Sequence, residues 1–200
     1  MSATGAELEV KFYLTDLPGL EARLVSLGAR LAHPRQHEVN LRFDTPAGDL
    51  SRASQVLRLR RDDEARLTYK GAGVVQQGVS RRVELEFTVS DFDAARAVLE
   101  ALGYQVIWMY EKYRTTYALE GALVVLDELP MGNFAEIEAP DGESIQAAAQ
   151  RLGLPWEKRI LESYAVLFER LRQKLGLPFR DLSFANFAGI KVAPEDLGLS

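Results

Sequence analysis

In the run Glu7-Leu8-Glu9-Val10-Lys11-Phe12, ionisable residues fall at every second position with apolar residues between them. A strand sends alternate side chains to opposite faces, so Glu7, Glu9 and Lys11 share one face and Leu8, Val10 and Phe12 the other. One such strand is an ordinary half-buried strand with its charges in water. Here the pattern returns in Val39–Asp44, Val56–Arg60, Arg66–Lys70, Arg82–Phe87, Lys112–Arg114 and Phe134–Glu138, and Leu123–Asp127 reads as a further strand that ends in an acid. Turn residues at Gly48, Asp62-Asp63 and Gly71 point to antiparallel hairpins between several of these runs.

Four amphipathic helices separate or follow the strands. One starts after Asp16 or Thr15 with Leu20, Leu24 and Leu27 on one face and Gly28 at its end. The next is capped by Ser90 or Asp91 and carries Phe92, Ala95, Leu99 and Leu102. The others span about 143–152 and 161–175. The segment from Glu7 through Gly28 resembles the one from Glu84 through Gly103, which suggests an internal duplication of a strand–helix unit and a pseudo-twofold arrangement. The ordered unit is read as residues 1–175, and 176–200 as an extension draped on it.

The apolar strand faces and the helix faces together can build one core, so the charged faces must meet water or one another. If they meet, the strands close into an eight-stranded antiparallel β-barrel of the α+β class, with a charged lumen and helices packed outside. Charges in such numbers cannot be left dry and unmatched. They can cancel in ion pairs, or sort into two clusters. Carboxylates at i, i+2 suit a hard cation such as Mg²⁺ or Mn²⁺. Arginines and lysines at i, i+2 suit phosphate oxygens. A polyphosphate with its metal fits both clusters.

Composition narrows the rest. Net charge is −5, which argues against nucleic acid as a partner. No apolar stretch approaches the roughly 20 residues of a membrane span, and the first residues lack a signal-peptide pattern. With no cysteine there is no disulfide framework or thiolate chemistry, and a cytoplasmic location is the default expectation. His33 and His37 are read as solvated loop residues because Pro34 interrupts any helix there. Gly71, Gly73 and Gly78 are read as hairpin glycines, since no Gly-Lys-Ser/Thr follows. Trp108 and Trp156 are read as packing residues, Trp108 with an option on the tunnel mouth, and Ser163-Tyr164 as a helix anchor.

Glu7-Leu8-Glu9-Val10-Lys11 resembles the ExExK signature of the CYTH family, the triphosphate tunnel metalloenzymes. Arg42-Phe43-Asp44, Leu57-Arg58-Leu59-Arg60, Thr68-Tyr69-Lys70, Arg82-x-Glu84-x-Glu86, Lys112-Tyr113-Arg114, Leu126-Asp127 and Phe134-x-Glu136-Ile137-Glu138 stand in that family's order, as does Ser163-Tyr164. The resemblance covers about 5–175. It implies a tunnel that binds a triphosphate with divalent metal, Mg²⁺ or Mn²⁺. It implies metal ligands Glu7 and Glu9, helped by Glu136 and Glu138, while Glu84, Glu86 and Asp127 hold a second ion or steady basic side chains. Lys11, Arg42, Arg58, Arg60, Lys70, Arg82, Lys112 and Arg114 would grip the phosphates. Glu7, Glu9 and Lys11 are the expected catalytic residues. The implied activity is metal-dependent hydrolysis of a small-molecule triphosphate: tripolyphosphate, thiamine triphosphate or ATP. The alternatives are a class IV adenylyl cyclase and a non-catalytic phosphate-binding protein. The chain lacks the His-Pro-rich stretch of the cyclase branch. Relatives that pair leave a homodimer open.

Overall fold

The computed structural model describes residues 5–76 and 79–199, and the side chains of all of these except 5–7, 75, 76 and 79–81. The strands are β1 (Gly5–Leu14), β2 (Arg30–Asp44), β3 (Val56–Arg61), β4 (Ala65–Lys70), β5 (Val74–Gln76), β6 (Val79–Val89), β7 (Gln105–Leu119), β8 (Ala122–Leu129) and β9 (Gly132–Glu138). The helices are α1 (Leu17–Ser26), α2 (Asp49–Arg52), α3 (Phe92–Ala101), α4 (Gly142–Leu152) and α5 (Tyr164–Leu175). Each long helix starts where a short polar side chain accepts a bond from a first-turn amide: Asp16 from Gly19, Asp91 from Ala94, Asp141 from Ser144 and Ser163 from Val166. Gly28 and Gly103 follow α1 and α3 with φ of +79° and +91°, a region glycine enters without strain.

All the strands join one antiparallel sheet in the order β1-β9-β8-β7-β2-β3-β4-β6-β5. β5 is a three-residue piece on the edge of β6, so eight strands carry the fold. β1 also pairs with β6, from Gly5↔Glu84 to Glu9↔Ser80. The pairing has an internal symmetry: β1 pairs with β6 and β2 with β7, each antiparallel, and exchanging β1–β4 with β6–β9 reproduces the same neighbours. Asp16 and Asp91 cap equivalent helices, and Gly28 and Gly103 end them, as the duplicated segments predict.

Three helices pack on the outer face. Leu20 and Leu24 of α1 join Ile145, Ala149 and Leu152 of α4 over Val10, Phe12, Val124 and Ile137. Leu99 of α3 packs with Leu41, Phe43 and Leu59. α5 departs from the expected outside placement. Its Tyr164, Leu167 and Phe168 pack with Trp108, Tyr110 and Phe134, which alternation puts on the same face as Lys112 and Glu136. α5 therefore fills one end of the wrapped sheet from within.

Several boundaries differ from the sequence reading. β2 begins at Arg30, so His33 and His37 lie on a strand; register shifts on either side of His33 absorb Pro34. Gly48 precedes the short helix α2 instead of forming a two-strand turn. α5 starts at Tyr164 because Ser163 caps it. Gly71 and Gly73 sit between β4 and β5, and Gly78 lies outside the described residues. Two apolar assignments are not buried: Leu102 is 69% exposed, and Val83, Leu85 and Phe87 of β6 are 57%, 42% and 56% exposed.

Candidate active site

Every strand with an alternating charge pattern turns that face inward. The result is a cavity of about 710 Å³. Among the described lining residues nine carboxylates (Glu9, Glu38, Asp62, Asp63, Glu64, Glu84, Glu86, Glu136, Glu138) face nine cationic side chains (Lys11, Arg42, Arg58, Arg60, Arg66, Lys70, Arg82, Lys112, Arg114). The side chain of Glu7 lies outside the described residues; its backbone pairs with Arg82.

The charges are sorted by strand. On β1 and β9, Glu9 stands opposite Glu138 and Lys11 opposite Glu136. Glu9, Glu136 and Glu138 each offer a carboxylate oxygen within 4.8 Å of the others. This all-oxygen donor set fits a hard divalent cation. Lys11 lies beside it, its Nζ donating to Glu9 Oε1 at 2.8 Å and lying 3.4 Å from Glu136 Oε1. Burial works against the Lys11 ammonium, but Glu9 and Glu136 outweigh it and raise its pKa. Burial likewise works against the charged Glu136 carboxylate, yet Lys11, Arg114 and Lys112 hold it well below the usual carboxylate range.

Opposite stand the arginines of β2 and β3. Arg42 faces Arg58, and Asn40 faces Arg60, across the β2–β3 ladder. Arg42 has no ion-pair partner among the described residues, and burial together with Arg82 and Arg58 lowers its pKa. Arg58 and Arg60 lie 3.5 and 3.6 Å from Glu86, which also accepts from Thr68 at 2.7 Å. Lys70 pairs with Glu84 at 2.6 Å. Glu84 and Glu86 therefore steady basic side chains and stand apart from the three-carboxylate group. Arg82 lines the cavity and donates to the Ser54 carbonyl at 3.4 Å.

Asp127 sits among the basic side chains, in line with the second of the two roles expected of it. It has no exposed surface and does not line the cavity. Its oxygens accept from Lys112 Nζ (3.0 Å), Arg114 Nε (2.7 Å), Arg114 Nη2 (2.6 Å) and Tyr164 Oη (3.0 Å). Three of these donors converge on Oδ2 and one on Oδ1, so the carboxylate is engaged with two cations and a tyrosine.

Sequence reasoning missed Glu38, Tyr110 and Tyr164 as site residues. Glu38 is 3% exposed and pairs with Arg60 and Lys112 at 3.4 and 3.6 Å. Burial pushes its carboxyl up, but Lys112, Arg114, Arg60 and Arg58 together pull it down to about 2. Extending the Asn40/Arg42 alternation back by one step would have found it. Tyr110 accepts from Arg58 at 3.5 Å and stacks on Trp108, ring centroids 4.5 Å apart. Trp108 lines the cavity beside Arg42, whose guanidinium lies 5.7 Å from its ring.

The CYTH domain model matches residues 5–164. The chain belongs to the CYTH family. Adenylate cyclase CyaB of Aeromonas hydrophila is 29% identical over an alignment of 178 residues that covers 82% of this chain and 89% of that protein. The fold is shared with a Vibrio parahaemolyticus protein described as a candidate adenylate cyclase, at a TM-score of 0.70 and 22% identity over 81% of this chain and 97% of the other. It is also shared with a Hippeastrum protein described as a candidate adenylyl cyclase with a dominant triphosphatase activity, at a TM-score of 0.61 and 21% identity over 97% of this chain and all of the other. No helix among the described residues of this CYTH chain is long and apolar enough to cross a membrane.

Proposed function

We propose that this CYTH protein is a divalent-metal-dependent triphosphatase whose wrapped sheet works as a closed tunnel, β1 being paired to β9 on one edge and β6 on the other. The observation that carries the reading is the sorting of the cavity: three carboxylates meet on β1 and β9, and arginines line β2 and β3. Glu9, Glu136 and Glu138, with Glu7 from the same strand face, would hold Mg²⁺ or Mn²⁺, which supplies positive charge to the phosphoryl oxygens when bound. Lys11, Arg42, Arg58, Arg60, Lys70, Arg82, Lys112 and Arg114 bind the remaining oxygens. Arg42 and Arg82 are the readiest of these, since among the described residues neither leaves a carboxylate to do so. The ion pairs with Glu38, Glu86 and Asp127 keep the cations aimed before substrate arrives, so little reorganisation is left for the transition state. Water attacks the phosphorus in line with the departing phosphate. The P–O anhydride bond breaks, and a cavity carboxylate takes the water's proton. Most of the acceleration is positioning and charge.

The relative named adenylate cyclase CyaB favours a second reading, attack by the ribose 3′-hydroxyl of ATP on its own α-phosphorus with pyrophosphate leaving. One assay separates the two. Purified protein is given tripolyphosphate, thiamine triphosphate or ATP with Mg²⁺ or Mn²⁺, and phosphate, pyrophosphate and cyclic AMP are quantified. Phosphate release is expected, abolished by chelator and reduced about a hundredfold or more by Glu136→Gln. Cyclic AMP and pyrophosphate in equal amounts would instead establish the cyclase. Silence with every substrate would return the protein to phosphate binding without turnover.

A further inference from the structure

Tyr164 enters the cavity from an unusual direction. It is the first residue of α5, held there by the Ser163 cap, and it lines the same cavity as the strand residues. Its ring packs edge-on against Phe134, centroids 5.1 Å apart, and it is 7% exposed. Packing alone would be served by phenylalanine. The hydroxyl, however, donates to Asp127 Oδ2 at 3.0 Å, the oxygen that also takes Lys112 Nζ and Arg114 Nη2. The ring meanwhile has the Lys11 ammonium 5.6 Å and the Lys112 ammonium 5.7 Å from its centroid. Two like charges in a low-dielectric site repel strongly, and a π face that both approach lowers the cost of holding them there.

We propose, on the reading of the cavity as a triphosphate site, that Tyr164 is a positioning residue for the substrate. Its hydroxyl completes the donor set of Asp127, and its ring stations Lys11 and Lys112, so that Lys11, Lys112 and Arg114 present one fixed arrangement to phosphate oxygens. Without the hydroxyl, Asp127 has one donor fewer, and Lys112 and Arg114 are drawn more tightly onto it and away from substrate. A tyrosine at the start of a helix thereby links α5, which fills one end of the sheet, to the cations of β1 and β7.

The test is Tyr164→Phe, which keeps the ring and its packing. Tripolyphosphate is titrated calorimetrically into wild type and Y164F in chelator, a readout independent of turnover. Binding is expected to weaken by about tenfold. With Mg²⁺, KM should rise by a similar factor while kcat stays within about twofold, the sign of lost binding shared by ground and transition states. A variant that melts lower yet binds and turns over like wild type would make Tyr164 merely structural and overturn the proposal. If wild type binds tripolyphosphate and Y164F binds it equally well, this inference alone fails. If wild type binds no triphosphate at all, the functional reading fails with it.

Discussion

Glu38 shows how much one buried acid can weigh. A carboxylate at 3% exposure is tolerable only because Arg60, Lys112 and Arg114 surround it. Its folded pKa of about 2 lies below the ordinary 4.5, so its contribution to stability is fully present above pH 4.5 and is lost as pH falls through about 2. That contribution is roughly 3 kcal/mol. Glu38→Gln should therefore be destabilised by that order at pH 7, and the gap should close towards pH 2. Denaturant titrations across that range check it; a gap that stays constant would show that the carboxylate's charge is not what matters. The sequence hid Glu38 for a physical reason. Pro34 and the polar residues beside it read as a loop, so the Asn40/Arg42 alternation is not carried back to Glu38. Arg58, Arg60, Glu136 and Glu138 were legible because alternation with leucine or isoleucine settles which face each occupies. For Asp127 the sequence offered two roles, a second ion or steadied cations, and could not choose between them, because Tyr164 and Arg114 reach it from other elements.

At the scale of elements, strands and capped helices could be read from period and end signals, while the placement of α5 and the final segment could not. Both depend on where neighbouring strands run out. Beyond Glu9, the last β1 residue paired to β6, Lys11 exchanges two backbone bonds with Ile160, at 3.1 and 2.7 Å. β7 pairs with β8 only from Tyr113 onwards, and before that point Leu182 bonds to Met109 and Glu111 at 2.9 and 3.0 Å. The Met109 amide also donates to the Asp181 carboxylate. The segment after α5 thus substitutes for a missing strand, and it carries Leu182, Phe187 and Leu197 into the cluster around Trp108. Leu182 has no exposed surface, so Leu182→Ala should cost about 2–5 kcal/mol. Ending the chain at Leu177 removes all three side chains and bares the edge of β7. The truncated protein is expected to melt well below the full chain, with the fluorescence of Trp108 shifted to the red as water reaches it. An unchanged midpoint and emission would mean that the segment merely rests on the surface.

Over the whole molecule, a duplicated strand–helix unit builds a twofold sheet, yet the cavity inside it is not twofold in chemistry. The β1–β9 wall gathers Glu9, Glu136 and Glu138, whereas the β2–β3 wall gathers Arg42, Arg58 and Arg60. Equal numbers of acids and bases among the described lining residues weaken, without abolishing, the pull of the arginine wall on a polyanion. A divalent cation on the carboxylates changes that balance in favour of triphosphate, so cation and triphosphate should bind with positive coupling. The coupling is measurable without turnover, by thermal unfolding with inorganic tripolyphosphate, with Ca²⁺ as a slow stand-in, and with both. A ligand at about a hundred times its Kd stabilises the folded state by about 2.7 kcal/mol, or about 5–10 °C for a chain of this size. Each ligand alone should raise the midpoint less than that, and the two together should raise it by more than the sum of their separate shifts. Glu136→Gln should remove the cation's effect and the excess, because it breaks the three-carboxylate group while leaving the arginine wall in place. Strictly additive shifts in the wild type would mean that the two walls act as separate sites, and the sorting of charge by strand would then serve folding and not catalysis.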